Sequence, residues 1–488
     1  MTDIVVTSLI NGSPVANAGG HLMPVINPAT EELVCQLREA DVQEVGDAVA
    51  AARSAFPSWA AMGTDRRNDI LYAICDTLTA HADELAEMEV RTTGLPISGV
   101  RPLARRAAHN FRAFAEVAST LSGESYSQAE NYMTYVTREP KGVGALIAPW
   151  NAPLALGSMR IATCIAFGNT CVLKPSEYTP LSMFRMVELM HEAGLPDGVV
   201  NLVNGRGHVS GEAMVSHPDI DMIGFTGGSE TGRRIMATAG RNLKPAILEL
   251  GGKSAAIVCA DADLDQALDG ALLGIYSNNG QQCLAGSRIL VQRSIADRFI
   301  ADFVARAKAI RIGDPMAAST QIGPLAFAAH RDRVLSFVDV ATQDGAELLT
   351  GGGRPDGFDQ GFYIDPIAVL APSNAARICQ EEVFGPFATF VIFDEVEDAI
   401  RIANDSAFGL VAYVWTGCVT TAMRCSKGIR AGTIWINTPM MRELRAPFGG
   451  FRESGIGRDG ARSSADFFTE MKTTSIPIEP LTLNRLGI

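Results

Sequence analysis

Apolar residues recur at three- and four-residue spacing through Ile70, Ile74, Leu78 and Leu85, so residues 41–90 are predicted to be helical, with Asp41 and Thr64 as N-caps. From Val143 the texture changes. Short β-rich runs at 143–148, 170–173, 199–203, 222–225 and 246–250 alternate with helix-like segments at 182–193 and 211–216. Strands that alternate with helices predict an α/β fold with a mostly parallel, doubly wound sheet, because parallel strands need helical crossovers on their faces. In such sheets ligands bind beyond the carboxyl ends of the strands.

A second α/β pattern begins near Ala255, with a strand at 255–258, helices at 263–273 and 295–310, and strands at 289–291 and 389–393. It predicts another domain. The length of 488 residues is about three times a typical domain of ~150, which agrees with two or three packed units. The Gly- and Pro-rich stretch 351–357 reads as a surface turn, with structured segments close on both sides. Residues 132–138 and 473–478 alternate in strand fashion.

Other features narrow the function classes. With 41 Lys and Arg against 54 Asp and Glu, the net charge is −13, which argues against a nucleic-acid partner. No apolar run reaches membrane length, since 154–173 is broken by Arg160 and Asn169, so no membrane partner is expected. The start, Met1-Thr2-Asp3-Ile4-Val5-Val6, lacks the pattern of a secretory signal, and a cytoplasmic protein is predicted. The nine cysteines include no Cys-x-x-Cys and no zinc-type His spacing, so no metal is expected. Most should be free and buried, leaving one or two for chemistry.

Cys283 lies in Asn278-Asn279-Gly280-Gln281-Gln282-Cys283-Leu284-Ala285-Gly286, too polar and Gly-rich for an ordinary core helix. Such neighbours leave a thiol reachable and offer N–H groups to a developing oxyanion, although a loop cysteine with no role fits the same residues. Glu249 sits in an apolar strand before Gly251-Gly252-Lys253. Burial there either raises its pKa toward that of a general base or places it in an ion pair. Asn151, between Pro149 and Pro153, can donate to an oxyanion or simply form a turn.

Two Gly-rich loops, 205–211 and 225–232, each follow a strand and precede a helix, where N–H groups favour phosphate. Neither is a strict Gly-x-Gly-x-x-Gly. Lys174-Pro175-Ser176-Glu177 ends a further strand, and its acid can bond ribose hydroxyls.

The combination is far more specific than its parts. Pro149-Trp150-Asn151, Lys174-Pro175-Ser176-Glu177, Phe225-Thr226-Gly227, Glu249-Leu250-Gly251-Gly252-Lys253, Gly280-Gln281-Gln282-Cys283, Glu381-Glu382-Val383-Phe384-Gly385-Pro386 and Pro447-Phe448-Gly449-Gly450 occur in this order. The chain resembles the NAD(P)-dependent aldehyde dehydrogenase family, essentially from end to end. That resemblance implies a Rossmann-like cofactor domain (1–122 and 141–251), an α/β catalytic domain (252–455) and oligomerisation segments (123–140 and 456–488) giving a homodimer or homotetramer.

By the same resemblance Cys283 is the nucleophile, Asn151 and the Cys283 N–H hold the oxyanion, and Glu249 activates water on a thioester. No histidine is needed, and none of the seven lies near these motifs in sequence. Lys174, Ser176 and Glu177 are implied at the adenosine ribose, and the acid disfavours a 2′-phosphate, so NAD is preferred to NADP. Ile147, Ala148, Pro149, Trp150, Phe225 and Leu250 are implied along the cofactor. Gly207, Gly211, Thr226, Gly227, Gly228 and Ser229 are implied near its phosphates, although many relatives carry Ser where this chain has Gly228. Glu382 and Phe384 are implied at the nicotinamide end.

Two departures concern substrate. Ala152 and Met159 stand where many relatives have bulky aromatics, which predicts a wider tunnel. Arg442 and Arg445 precede Pro447-Phe448 in a pattern that looks like the branch oxidising hydroxymuconic-type semialdehydes. An arginine fork suits a carboxylate, so Arg442 or Arg445, with Arg106, is expected to anchor one beside Phe448; an ion pair with Glu443 is the plain alternative. Neutral aromatic aldehydes are the alternative substrates, and an inactive binding protein or a CoA-acylating enzyme are remoter readings.

Overall fold

The computed structural model describes residues 4–16, 19–127 and 130–487. The first three residues of the amino-terminal stretch and two residues of the 123–140 excursion lie outside them.

The chain is organised by two large sheets. The first has eight strands in the order Gly455–Ile456, Ala246–Glu249, Met222–Thr226, Val143–Ile147, Thr170–Lys174, Val200–Leu202, Leu9–Ile10 and Ser13–Pro14. Its five inner strands are parallel, and antiparallel partners close both edges. The chain winds outward from Val143–Ile147 in both directions, so the topological switch point falls between that strand and Met222–Thr226. Thr170–Lys174 is buried at every residue, as befits a parallel strand covered on both faces.

The apolar run 154–173 resolves into a helix, Pro153–Ala166, buried along nearly its whole length, followed by that central strand. Among the described residues no helix is long and apolar enough to cross a membrane.

The second sheet has seven strands in the order Glu347–Thr350, Ile367–Leu370, Phe387–Phe393, Arg288–Gln292, Ala255–Val258, Val411–Trp415 and Thr433–Ile436, parallel except for the first. The turn at 351–357 lies in the loop after Glu347–Thr350. A three-stranded antiparallel sheet joins Thr469–Pro477, Tyr132–Pro140 and Glu124–Tyr126.

Several details differ from the sequence reading. Asp41 caps the helix Val42–Ala61 by accepting from the Glu44 N–H at 2.9 Å, but Thr64 is the first helical residue and Gly63 the cap. Residues 456–468, assigned above to an oligomerisation segment, pack instead with the first unit. Gly455–Ile456 extends its sheet beside Ala246–Glu249, and Ala465 and Phe468 of the helix Ala461–Phe468 are buried in its core. A two-residue edge strand has no period to read, and long-range burial decides where it goes. Of the nine cysteines, seven are buried, Cys283 is half-buried and Cys418 is exposed, so Cys418 is not a packing residue.

Candidate active site

Two cavities of about 450 and 460 Å³ meet along Pro149, Trp150, Thr226, Gly227 and Gly228, making one cleft at the switch point. The residues that join them lie just past the strands Val143–Ile147 and Met222–Thr226, where a parallel sheet leaves its carboxyl ends open.

At one end Lys174, Ser176, Glu177, Gly207, Gly211 and Phe225 line the cleft, together with Ile147 and Ala148. The buried Lys174 ammonium donates to the Pro175 carbonyl at 3.0 Å and stands 3.5 Å from the Glu177 carboxylate. Burial lowers its pKa, and Glu177 opposes that. A Cβ at Gly207 or Gly228 would meet nothing, so backbone is open to a ligand there. The helix Ser229–Arg241 starts directly after Gly228 with no side-chain cap, leaving N–H donors for an anion. Ser229 itself does not face the cleft: its hydroxyl donates to the Glu453 carbonyl at 3.1 Å. Backbone N–H groups, not that hydroxyl, are what the cleft offers an anion here. A long cleft with a paired acid at one end and open N–H groups midway fits a dinucleotide.

At the other end Asn151, Glu249, Leu250, Cys283, Glu382 and Phe384 come together. They derive from both sheets. The Asn151 amide donates to the Gln281 carbonyl at 2.8 Å. Burial, with the Glu382 and Glu249 carboxylates nearby, pushes the Cys283 thiol up to about 12. Glu249 is buried with Oε1 unpartnered, and its pKa is raised by desolvation and then by the Asp459 charge. Asp459 in turn accepts from Arg160 at 2.8 Å, and Arg160 also donates to the Thr226 hydroxyl at 3.1 Å. Glu382 accepts from the Gly252 N–H at 2.7 Å, and burial raises its pKa to about 7.

The substrate side is mixed. Phe448 shares an apolar cluster with Cys283, and the Arg442 guanidinium lies over its ring, 4.2 Å from the centroid. Arg106 projects from the helix Ile97–Ser119 with Nη2 buried and unpartnered; burial and the Arg442 charge lower its pKa to about 10. Burial lowers the Arg442 pKa against the opposing Asp459 and Glu249 carboxylates, and its nearness to Glu249 and the Cys283 sulfur places it beside the reacting end.

Arg445 is not part of this group. It is exposed and forked onto Glu443, with contacts of 2.8 and 2.9 Å, the ion pair that was the alternative. A five-residue loop can always satisfy an arginine locally, and sequence does not show which one turns inward. Met159 is buried in the core and Ala152 is the half-buried cap of the helix Pro153–Ala166; neither lines the 460 Å³ cavity at Cys283, and nor do Arg106, Arg442 and Phe448. Leu156, one turn into that helix, does.

Sequence reading missed several cavity residues. Phe327, His330 and Arg333 come from the helix Ala328–Gln343 and the residue before it, a segment without a motif. His330 stands in the cavity despite its distance in sequence from every motif. Its Nε2 donates to the Phe384 carbonyl at 2.8 Å, and burial lowers its pKa to about 4, so it is neutral. Phe384 itself has φ 63°, a left-handed backbone that this bond helps hold.

Comparisons with known proteins agree with this geometry. Residues 15–474 match the profile of the Aldehyde dehydrogenase family. The 5-carboxymethyl-2-hydroxymuconate semialdehyde dehydrogenase of Escherichia coli is 40% identical over 462 residues, covering 93% of this chain and 97% of the relative. The 2-hydroxymuconic semialdehyde dehydrogenase of Pseudomonas sp. (strain CF600) is 38% identical, covering 96% and 99%. The crystal structure of PnpE in complex with nicotinamide adenine dinucleotide superposes with a TM-score of 0.96 at 42% identity, covering 98% of each chain. The chain thus belongs to the aldehyde dehydrogenase family and is an oxidoreductase of that class.

Proposed function

We propose that this enzyme oxidises a carboxylated semialdehyde, of the hydroxymuconic type formed by aromatic ring cleavage, to the carboxylic acid with NAD. Cys283 attacks the aldehyde carbon through sulfur, its thiol proton passing to solvent water as the carbon–sulfur bond forms. The resulting alkoxide oxygen is held by the Asn151 amide and the Cys283 N–H, donors aimed where charge develops. NAD, when bound, accepts the hydride that the carbon gives up. Glu249 then takes a proton from the water that attacks the thioester, and the acid leaves as the Cys283 thiol is restored. Lys174 and Glu177 hold the adenosine ribose, the open N–H groups after Gly227 hold the pyrophosphate, and Glu382 and Phe384 position the nicotinamide ribose and ring. Glu177 accepts from free ribose hydroxyls and repels a 2′-phosphate, which favours NAD over NADP.

The observation that carries the substrate reading is the pair Arg106 and Arg442, of which Arg442 lies near Cys283 and Arg106 near Arg442, and neither forms an ion pair among the described residues. A carboxylate on the substrate completes that cluster. The relatives named for hydroxymuconic-type semialdehydes support the same class. Replacing Arg106 or Arg442 by Ala should reduce kcat/KM for succinate semialdehyde by about 2 kcal/mol, or roughly thirtyfold, while benzaldehyde changes little. Equal losses for both aldehydes would remove the anchor.

Self-association is part of the proposal. The antiparallel sheet of Tyr132–Pro140 and Thr469–Pro477 leaves Met133, Met471 and Ile476 exposed, as an interface between copies requires. The reducing cytoplasm keeps the nucleophilic thiol free.

A further inference from the structure

Asn278, Asn279 and Gly280, just ahead of the nucleophile loop, form a left-handed run with φ of 56°, 54° and 70°. Residues with a Cβ hold such backbone only where their surroundings enforce it. The Asn279 amide donates to the carbonyls of Gly94 and Pro324 at 3.1 and 2.9 Å, and its Oδ1 accepts from the Gly323 N–H at 2.9 Å. Those bonds tie down the turn. Asn278 has a different set of partners. Its Nδ2 donates to the Asn151 carbonyl at 3.0 Å and to the Gln281 carbonyl at 2.9 Å. The Gln281 carbonyl is also the acceptor for the Asn151 side chain, at 2.8 Å.

We propose that Asn278 is a positioning residue for the oxyanion site, an inference that rests on Asn151 being the oxyanion donor. It clamps the main chain of Asn151 to the one carbonyl that orients the Asn151 side chain. An amide nitrogen carries two protons. With one directed at Gln281, the plane of the Asn151 amide is set, and the other is free for an oxygen on the carbon bonded to Cys283. Asn151 enters from the first sheet and Gln281 from the second, so the clamp spans the seam across which the two oxyanion donors must keep register. Errors of about 1 Å in such geometry cost on the order of a hundredfold in rate.

The test uses the full-length enzyme with NAD and succinate semialdehyde, reading the first-turnover rate of NADH formation, the aldehyde KM and the unfolding midpoint. Asn151→Ala is the reference. Asn278→Ala should slow the first turnover by roughly 10- to 100-fold with KM within about threefold, less than loss of the donor itself. Placed in the Asn151→Ala background it should cost no more than about threefold further, since the two residues act through one group. Asn278→Gly accepts left-handed backbone without strain yet lacks the amide, so it keeps the test valid if the Ala variant folds poorly, and it should show the same loss. Wild-type turnover in Asn278→Gly would overturn the proposal, and so would losses that multiply in full with Asn151→Ala. A near wild-type first turnover in Asn151→Ala would instead remove the oxyanion assignment, and the clamp with it.

Discussion

Arg160, in the helix Pro153–Ala166, and Lys174, at the end of its strand, are both buried and each meet a carboxylate of the chain itself: Arg160 with Asp459 at 2.8 Å, Lys174 with Glu177 at 3.5 Å. On the substrate side, Arg106 and Arg442 form no ion pair among the described residues: Arg442 lies over the Phe448 ring with the Asp459 and Glu249 carboxylates in its surroundings, and Arg106 is left with Nη2 unpartnered. Both pairs of cations have lost water. In the first case the fold supplies the counter-charge, so the cost of desolvation is met within the protein. In the second no ion-paired carboxylate of the described residues takes that place, and under the proposed function the substrate carboxylate does.

The contrast can be broken most forcefully at Asp459. Asp459→Asn strips Arg160 of its buried partner and should cost about 3–5 kcal/mol of stability, read from the denaturant midpoint. It should also move the pH dependence of turnover. Burial and the Asp459 charge both disfavour ionised Glu249, so the fraction of active base grows as pH rises toward the raised pKa. Removing the negative neighbour makes ionisation easier, and the rising limb should shift to lower pH.

Arg106→Met is the opposite case. An apolar side chain of similar length takes away an unpaired buried charge, so stability should hold or rise by about 1 kcal/mol. Meanwhile kcat/KM for succinate semialdehyde should fall by about 2 kcal/mol, and a drop in stability instead would mean that Arg106 is structural after all. At the paired end, Glu177→Gln removes the charge that the proposed function sets against a 2′-phosphate. It should raise NADP use relative to NAD by about tenfold, or about 1.4 kcal/mol, in side-by-side NADH and NADPH assays. The smallest effect is at Arg445, whose exposed pairing with Glu443 predicts that Arg445→Ala changes kcat/KM and stability by less than about 0.5 kcal/mol.

Legibility in sequence followed the range of the interaction involved. The inner parallel strands of the first sheet, and three of the second at 255–258, 289–291 and 389–393, could be read because they are continuous apolar runs between helical segments, and their ends moved by only a residue or two; Ile367–Leu370 and Val411–Trp415 were not read. Cys283, Glu249 and Asn151 were legible because each sits in a short motif whose residues are neighbours in sequence. Residues 456–468 were misassigned because what holds them is remote: Asp459 against Arg160, and Phe468 in the core. His330 carried no signal, since its place in the cavity depends on how its helix packs over Phe384. Arg442 and Arg445 are three residues apart with the same chemistry, and only the loop conformation sends one toward Cys283 and the other to Glu443.

The amino-acid sequence by itself determined the α/β architecture and pointed to Cys283, Glu249 and Asn151 as the residues proposed for nucleophile, base and oxyanion donor, because periodicity and motif chemistry are local properties of the chain. Tertiary structure alone decided which charges are neutralised and which remain open. That follows from burial: whether a guanidinium finds a carboxylate depends on what arrives from distant segments. The same folding joins two sheets around one cleft and brings the Asn151 amide, the Gln281 carbonyl and the Asn278 clamp within hydrogen-bond reach.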